Sequence, residues 1–425
     1  MSEKKIMTAQ GIPLYSYILP DSHSFVLSFF VRTGVMTEPD GYAGISHFLE
    51  HVGIRSVNGH MGGRLYSVLD SEGLEFNAST YSEMVQFYVV GSPDHFRTAA
   101  QIMSRLLLPI ELGREEIDAE RGRIKAEIRE SGDRTSLASF TQEQVFAGTP
   151  LSRPITGRIA DLNSIKRAQL EEYRKRVMSK NNCFFYLTGK ASEDDISYLL
   201  SLLESIPVID CPPFENLAVV PSDFGKRGGG VYVKNADFTK VRFTFDVDMS
   251  LIDVPSLDLL HDIILGGYSS DFFVELSEKR ALFYDLSGSV ERYLNIGTFS
   301  FSYELRESKL YEAIATTVDI LKRYKENELE EERMMKAGYV DNAPMLLDDP
   351  RELNFTFAYD NHIMELGYSS LEDRIAAYKA ITPARLMECA RCIFTPDNLT
   401  LTVKGRKKTI DCGRIQEELL RLGHD

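Results

Sequence analysis

The chain has 425 residues, of which 43% are hydrophobic and 26% charged, and its formal net charge is −15. This length exceeds one ordinary hydrophobic core and predicts two or more lobes. The 63 acidic against 48 basic residues argue against nucleic acid or an anionic membrane as the main partner, because both attract basic surfaces. The N-terminus lacks an apolar core of signal-peptide length, no segment reads as a membrane span, and the five cysteines are scattered. We therefore expect a cytoplasmic protein.

The first half of the chain predicts a mixture of strands and helices. Strands are expected at 24–31, 74–80, 85–91 and 183–188. Helices are expected at 44–52, 64–72, 93–107, 114–131, 168–177 and 193–205. Strands 74–80 and 85–91 are close enough in sequence to form a hairpin. This pattern favours an α+β fold with antiparallel-rich sheets over a doubly wound parallel sheet.

The second half of the chain repeats the pattern of the first. Residues 176–189, RVMSKNNCFFYLTG, and residues 392–405, CIFTPDNLTLTVKG, each show a helix end, a turn with Asn, an apolar strand and a final Gly. The two segments are offset by 216 residues, and the beginnings of the two halves match at a similar offset. An internal duplication predicts two homologous lobes. We place them at 1–206 and 231–425, joined by a Pro-rich linker at 207–230 that ends in three glycines.

A motif with metal-site spacing lies in the predicted helix 44–52. His47 and His51 are four residues apart, so a helix places both imidazoles on one face, where two nitrogens can reach one Zn²⁺ at about 2.0–2.1 Å. Glu50 stands beside the pair, where a carboxylate can hydrogen-bond a water on the metal without binding the metal itself. We expect Gly53 to end the helix. H-x-x-E-H is the inverted form of the H-E-x-x-H peptidase motif and predicts a zinc peptidase with Glu50 as the base.

A catalytic zinc takes three protein ligands and a water, so a third ligand must come from elsewhere. The acidic segment 114–130, REEIDAERGRIKAEIRE, is the strongest source. Glu120 and Glu127 are seven residues apart and share one helix face beside an isoleucine stripe. A carboxylate that points inward there needs a partner such as a metal. These residues alone do not choose between the two glutamates, and a solvated acidic face is the plain alternative.

Taken together, these residues resemble the pitrilysin family of inverted-motif zinc metallopeptidases, in its short bacterial two-lobe type, which is related to the mitochondrial processing peptidases. The resemblance implies one Zn²⁺ per chain, with Glu127 as the third ligand and Glu120 as a carboxylate behind the ligands. It also implies two homologous lobes that form half of a clamshell. A strand segment that lies near the substrate cleft in the family is matched here by Asn77, Ala78, Ser79, Thr80 and Glu83.

The second lobe departs from the family pattern. The family segment R-E-x-x-G-L-x-Y, whose Arg and Tyr hold the substrate, reads SEKRALFY at 277–284. Tyr284 is kept, whereas Ser277 replaces the Arg and Ala281 replaces the Gly. Residues 260–264 carry Leu and Ile at the positions of the metal motif, so this lobe is expected to hold no metal. We therefore expect a related sister chain to supply the Arg-Tyr pair in a heterodimer, with a homodimer as the alternative.

The predicted function is that of a zinc-dependent endopeptidase that cleaves short or unfolded peptides, such as leader or targeting peptides. In this hypothesis Glu50 takes a proton from the attacking water, and the substrate extends the strand at 77–80. The rival hypothesis is a non-catalytic structural or chaperone-like subunit of a peptidase-like complex. The missing Arg favours the rival, and the intact zinc motif favours the peptidase.

Overall fold

The computed structural model describes residues 1–8, 11–131, 136–207, 209, 230–283, 285–327, 329–334 and 336–423. The predicted linker at 207–230 therefore lies outside the described residues, apart from residues 207, 209 and 230. In the described part of the chain, no helix is long and apolar enough to cross a membrane.

The first sheet contains six strands: β1 (Lys4–Met7), β2 (Pro13–Ile18), β3 (Phe25–Val31), β4 (Glu75–Thr80), β5 (Val85–Gly91) and β6 (Cys183–Gly189). Neighbouring strands follow the order β1, β2, β6, β3, β5, β4. β2 and β6 run parallel, and every other neighbouring pair is antiparallel. β3 and β6 are buried along their whole length, which explains why both are continuous apolar runs in the sequence. β4 forms one edge of the sheet.

The second sheet contains five strands: β7 (Gly230–Asn235), β8 (Thr239–Asp248), β9 (Asp285–Arg292), β10 (Ile296–Leu305) and β11 (Leu399–Gly405). Neighbours follow the order β7, β11, β8, β10, β9, with β7 and β11 parallel. If β1 is set aside, the strands of the first sheet follow the same order when they are counted along the chain. The first and last strands of each set of five form the parallel pair. The predicted α+β class with two homologous, antiparallel-rich lobes is therefore confirmed.

Helices cover both sheets. In the first half they are α1 (Ile45–His60), α2 (Leu65–Glu72), α3 (Phe96–Ser104), α4 (Arg114–Glu130), α5 (Leu137–Val145), α6 (Ile159–Ser164), α7 (Arg167–Val177) and α8 (Glu193–Glu204). In the second half they are α9 (Val254–Leu265), α10 (Leu310–Glu326), α11 (Pro350–Ala358), α12 (Leu371–Lys379), α13 (Pro383–Ile393) and α14 (Cys412–Leu420). A π-helical turn, Tyr359–Ile363, continues α11.

Apolar cross-strand ladders form the centre of each sheet. Phe29 on β3 lies opposite Phe87 on β5 and Phe185 on β6, and the rings of Phe29 and Phe185 are 4.7 Å apart. In the second sheet, Phe243 on β8 lies opposite Phe301 on β10, with stacked rings 4.9 Å apart. Each ladder belongs to its own cluster of buried residues, so each lobe has a separate hydrophobic core.

The two compact units of the chain do not follow its two halves throughout. One unit holds the described residues of 1–132, 153–218 and 344–373, and the other holds the remainder. Helix α5 from the first half therefore belongs to the second unit, and α11 from the second half belongs to the first. The periodicity of an amphipathic helix shows which face is buried but not which sheet buries it, so the sequence did not indicate this exchange.

One buried side chain fixes α11 on the first sheet. Asn354 is fully buried, and its Nδ2 donates to the carbonyl oxygens of Val26 and Tyr186 at 3.2 and 3.1 Å. Its Oδ1 accepts a 2.7 Å hydrogen bond from the hydroxyl of Ser28. Because these partners lie on β3 and β6, the two central strands of the first sheet hold a helix residue that follows Val26 by 328 positions and Tyr186 by 168.

Candidate metal centre

The helix that carries the predicted motif is fixed at its N-terminus by a buried carboxylate. Glu38 accepts hydrogen bonds from the backbone N–H groups of Gly44, at 2.8 Å, and Ser46, at 3.0 Å. These N–H groups have no partner inside the helix, so Glu38 satisfies two of them and sets where α1 begins. The sequence analysis missed this residue, although its signal was present as an acidic residue a few positions before a helix that starts on glycine.

A close backbone crossing adds a second constraint at the start of α1. Gly44 has a φ of +92°, and a Cβ atom built on it would lie 2.7 Å from the Cα of Gly157. Any larger residue at position 44 would push the segment around Gly157 away from α1. The placement of α1, and with it the placement of His47, therefore depends on this contact as well as on Glu38.

The expectation that Gly53 ends the helix was wrong, because α1 continues to His60. A Cβ atom at Gly53 would lie 3.2 Å from ring carbons of Phe87 on β5. The glycine allows the helix to approach the sheet closely in its middle, so it serves packing and does not act as a C-terminal cap.

The structure brings the two histidines and one glutamate together. Oε2 of Glu127, on α4, lies 3.7 Å from Nε2 of His47 and 3.7 Å from Nε2 of His51. One ligand atom from each residue lies within 4.8 Å of the other two. Ligands of a tetrahedral zinc at bond lengths of about 2.0–2.1 Å lie roughly 3.3–3.4 Å apart, so small adjustments fit a zinc ion here. Among the described residues, this is the one group of three or more His, Cys, Asp and Glu side chains whose possible ligand atoms all lie within 4.8 Å of one another.

The donor atoms also fit zinc chemically. His47 is buried, and burial, followed by the charge of His51, lowers the pKa of His47 to about 4. The ring is therefore neutral at neutral pH, which is the form that binds a metal. Nδ1 of His47 has no hydrogen-bond partner within the described part of the chain. Two imidazoles and a carboxylate form a ligand set that catalytic zinc sites use.

Glu50 lies one turn after His47 and directly before His51, and a residue of β4 orients its side chain. Its Oε2 accepts a hydrogen bond from the hydroxyl of Thr80 at 2.5 Å. Burial raises the pKa of Glu50, and the charge of Glu127 adds to the increase, while the Thr80 hydrogen bond and His51 oppose it. A carboxylate that is buried, held in one orientation and raised in pKa is a better proton acceptor than an exposed carboxylate of ordinary pKa.

Glu120 and Glu127 occupy different positions around His51. The Glu120 side chain is only 3% exposed, and its Oε2 lies 3.6 Å from Nδ1 of His51, on the opposite side of the ring from Glu127. Arg123 donates a 2.8 Å hydrogen bond to the other oxygen of Glu120. The Glu127 side chain is 46% exposed and contacts both histidines. Helix spacing alone left these two glutamates undecided, and the family resemblance implied Glu127 as the ligand; in the structure Glu127 is the one that approaches both histidines.

The predicted substrate-binding segment lies on the edge strand. Asn77, Ala78, Ser79 and Thr80 belong to β4, which pairs with β5 on one side and with no strand on the other among the described residues. Ala78 packs on the core, while Asn77 is exposed. Glu83 follows the strand, and its Oε1 accepts a 2.7 Å hydrogen bond from the hydroxyl of Tyr359. Tyr284 lies outside the described residues.

The second lobe places apolar residues where the first has its metal motif. Leu260, Ile263 and Ile264 on α9 are at most 1% exposed and belong to the second core. Further along, Ala281 has a φ of +47°, in the left-handed region that glycine adopts without strain. The backbone at this position therefore keeps the conformation that suits the glycine of the family segment, although the residue is alanine.

Two lobes of one topology, with an inverted histidine motif on α1 of the first, define the class of the two-lobe zinc metallopeptidases. The family model described as "Insulinase (Peptidase family M16)" matches residues 19–158, and the model described as "Peptidase M16 inactive domain" matches residues 164–337. Together the two models cover most of the chain. The chain belongs to the M16 peptidase family.

Individual relatives agree with this assignment. A zinc protease of Mycobacterium bovis is 23% identical over 335 residues, which cover 73% of this chain and 72% of the relative. The crystal structure of a protease from Helicobacter pylori superposes with a TM-score of 0.82 at 17% identity and covers 95% of this chain and 99% of that one. The periplasmic protease PqqL of Escherichia coli has the same TM-score and identity, and the similarity covers 100% of this chain but 50% of that one.

Proposed function

We propose that this chain is the metal-bearing subunit of a zinc endopeptidase that cleaves short or unfolded peptides, including leader or targeting peptides. The observation that carries the proposal is the convergence of His47, His51 and Glu127 beside Glu50, next to an open strand edge. Each of these features has a separate role in peptide hydrolysis, and all of them lie within the first unit.

His47, His51 and Glu127 would hold the zinc ion. When bound, zinc polarises the scissile carbonyl and lowers the pKa of water. Glu50 accepts the proton of the attacking water and passes it to the leaving amine. Since Oε2 of Glu50 already accepts the Thr80 hydroxyl, Oε1 is the oxygen that remains for the proton. Glu120 faces Nδ1 of His51, so it fixes the tautomer and the orientation of that ring.

The open edge of β4 would hold the peptide. An extended peptide can add to an unpaired strand edge through backbone hydrogen bonds, so its sequence matters little for affinity but its extended shape is required. This requirement favours short or unfolded substrates. Asn77, Ala78, Ser79 and Thr80 supply the edge, and Glu83 lies at its end. The role of Tyr284 in holding substrate stays a prediction.

A second chain would complete the enzyme. Ser277 replaces the Arg of the family segment, so this chain lacks one of the two groups expected to hold substrate. The Escherichia coli protease is about twice as long as this chain, in line with a pairing of two such halves. We propose a heterodimer with a sister chain that carries the Arg-Tyr pair. Cleavage at full rate by a homodimer of the purified chain would contradict this part of the proposal.

Glu50→Gln tests the peptidase function. The substitution keeps the shape of the side chain and removes the base, so turnover should fall by about 10²–10⁴ or more while one zinc per chain is retained. Zinc is measured by elemental analysis, and turnover with a quenched-fluorescence peptide library. Ser71→Ala, on the exposed surface of α2, is a matched control that should change neither quantity. A Glu50→Gln variant with normal turnover would disprove the role of Glu50.

The non-catalytic alternative rests on the absence of the Arg at Ser277. A structural subunit has no need of a metal, so it should purify without stoichiometric zinc and fail to bind zinc on titration. Zinc bound with submicromolar affinity, and lost in a His47→Gln variant, would exclude this alternative.

A further inference from the structure

One hydrogen bond joins the proposed base to the edge strand. The hydroxyl of Thr80 donates to Oε2 of Glu50 at 2.5 Å. Glu50 is buried, so its carboxylate depends on hydrogen-bond partners within the protein. Side chains alternate along a strand, and Ala78 packs on the core that includes α1, so Thr80 faces the same helix. This contact connects the residue proposed to move the proton with the strand proposed to carry the peptide.

The end of the strand that carries Thr80 is held in place by an earlier part of the chain. Thr80 lies opposite Val85 in the last pair of the ladder between β4 and β5. In the turn that follows, the carbonyl oxygen of Ser82 accepts a 3.0 Å hydrogen bond from the N–H of Met36. A Cβ atom built on Gly34 would lie 2.4 Å from the same carbonyl oxygen, so the two segments pack directly against each other.

The same short segment also holds the helix that carries Glu50. Residues 34–38 run from the turn contact at Met36 to Glu38, whose carboxylate accepts hydrogen bonds from backbone N–H groups at the start of α1. The donor strand and the acceptor helix are therefore attached to one segment. This arrangement sets the hydrogen bond between Thr80 and Glu50 before a substrate binds, so the base is preorganised.

A peptide on β4 would take its position from the same strand. Its backbone would pair with the open edge of residues 77–80, so the scissile bond would be placed relative to β4. Thr80 places Glu50 relative to β4 as well. The positions of the base and the scissile bond are then set by one strand, and an error of about 1 Å in such positions can cost roughly 10²-fold in rate.

We propose that Thr80 is a positioning residue that holds the Glu50 carboxylate in register with a peptide on β4. The proposal rests on the proposed peptidase function and adds the residue that couples the base to the substrate strand. Thr80 gives its hydroxyl to Glu50 and its backbone to the strand edge. Loss of the hydroxyl should therefore slow the chemical step and leave peptide binding intact.

Thr80→Val tests the hydroxyl, because valine keeps the shape of the side chain and removes the donor. With zinc, and with the sister chain where turnover requires it, kcat for a quenched-fluorescence peptide should fall about tenfold to a hundredfold. KM and the zinc content should change by less than about twofold. Thr80→Ser restores the donor and should bring kcat to within about threefold of the wild-type value.

Thr409→Val is the matched control. The hydroxyl of Thr409 donates to Glu307 at the same 2.5 Å distance, but this pair is exposed and lies in the second unit. Its loss should change neither kcat nor KM. A similar decrease in kcat for Thr409→Val would show that removal of any such hydroxyl slows the enzyme, and would overturn the proposal.

A double-mutant cycle shows whether Thr80 acts through Glu50. The carboxylate in Glu50→Asp is one methylene shorter and is drawn away from Thr80. In this background, Thr80→Val should lower the remaining kcat by less than about twofold. Equal losses in both backgrounds would overturn the proposal. A loss confined to KM would also overturn it, because the Thr80 hydroxyl would then contact the peptide.

Stability measures the same contact without turnover. In the metal-free chain, Thr80→Val leaves a buried carboxylate without its donor and should lower the thermal midpoint, whereas it should have little effect when Glu50 is already alanine. Equal decreases in the two backgrounds would overturn the proposal. Absence of cleavage by the wild-type chain would reject the peptidase function and with it the catalytic role of the contact. Cleavage that Thr80→Val leaves unchanged would reject the positioning role alone.

Discussion

Asn354→Ala should detach α11 from the first lobe. The substitution removes hydrogen bonds to the carbonyl oxygens of Val26 and Tyr186 and one from Ser28, all in a fully buried site. At about 1 kcal/mol for each bond, the loss in unfolding free energy is about 3 kcal/mol. For a unit of roughly 200 residues this corresponds to a decrease in Tm of about 6–12 °C.

Urea unfolding measures the global loss, and hydrogen exchange measures whether residues 350–363 open locally. Ser28→Ala removes one of the bonds and should cost about 1 kcal/mol, while Glu352→Gln on the exposed side of α11 should change stability by less than about 0.5 kcal/mol. A loss below about 1 kcal/mol in Asn354→Ala, with no faster exchange in 350–363, would refute the idea that this side chain holds α11.

Three further outcomes follow from the geometry. Glu120→Gln should weaken zinc binding about 10–100-fold, less than Glu127→Gln, in competition with a chromogenic chelator; equal losses would contradict the assigned positions. Ala281→Gly should raise the unfolding free energy by about 0.5–1 kcal/mol in urea, because φ of +47° strains alanine; an unchanged midpoint would argue against strain there. Burial lowers the pKa of His47 to about 4, so between pH 6.5 and about 4 the unfolded chain binds a proton that the folded chain does not. The metal-free chain should therefore lose up to about 3 kcal/mol of stability as pH falls through this range, and His47→Gln should lack this decrease. Parallel pH curves for the two proteins would show that His47 is not the group responsible.

The local part of the site could be predicted from the sequence because a single helix contains it. His47, Glu50 and His51 need only helical spacing to share a face, and α1 supplies it. The choice between Glu120 and Glu127 could not be made from spacing, because both lie on one face of α4. They differ in which ring nitrogen of His51 they approach, and that depends on how α4 packs against α1.

Long-range contacts account for what the sequence did not predict. Glu38 acts on α1 from outside the helix, and Asn354 acts on β3 and β6 from the other half of the chain. Gly53 was misread because a glycine in a helical pattern has two uses, as a stop or as a point of close packing. Only the position of Phe87 on a neighbouring strand shows which use applies.

The duplication itself supplies a physical argument that the polar residues of the first lobe serve a ligand. Both lobes bury a helix against the same arrangement of strands, and in the second lobe the motif positions hold Leu260, Ile263 and Ile264. The first lobe instead buries His47 and Glu50, and burial shifts both pKa values toward the neutral forms. These shifts mean that the fold disfavours the charged groups it encloses, whereas apolar residues pack there without that penalty. A lobe retained only as a scaffold would gain stability from the residues that its own duplicate already uses, so the polar set in the first lobe is best explained by a ligand that needs it.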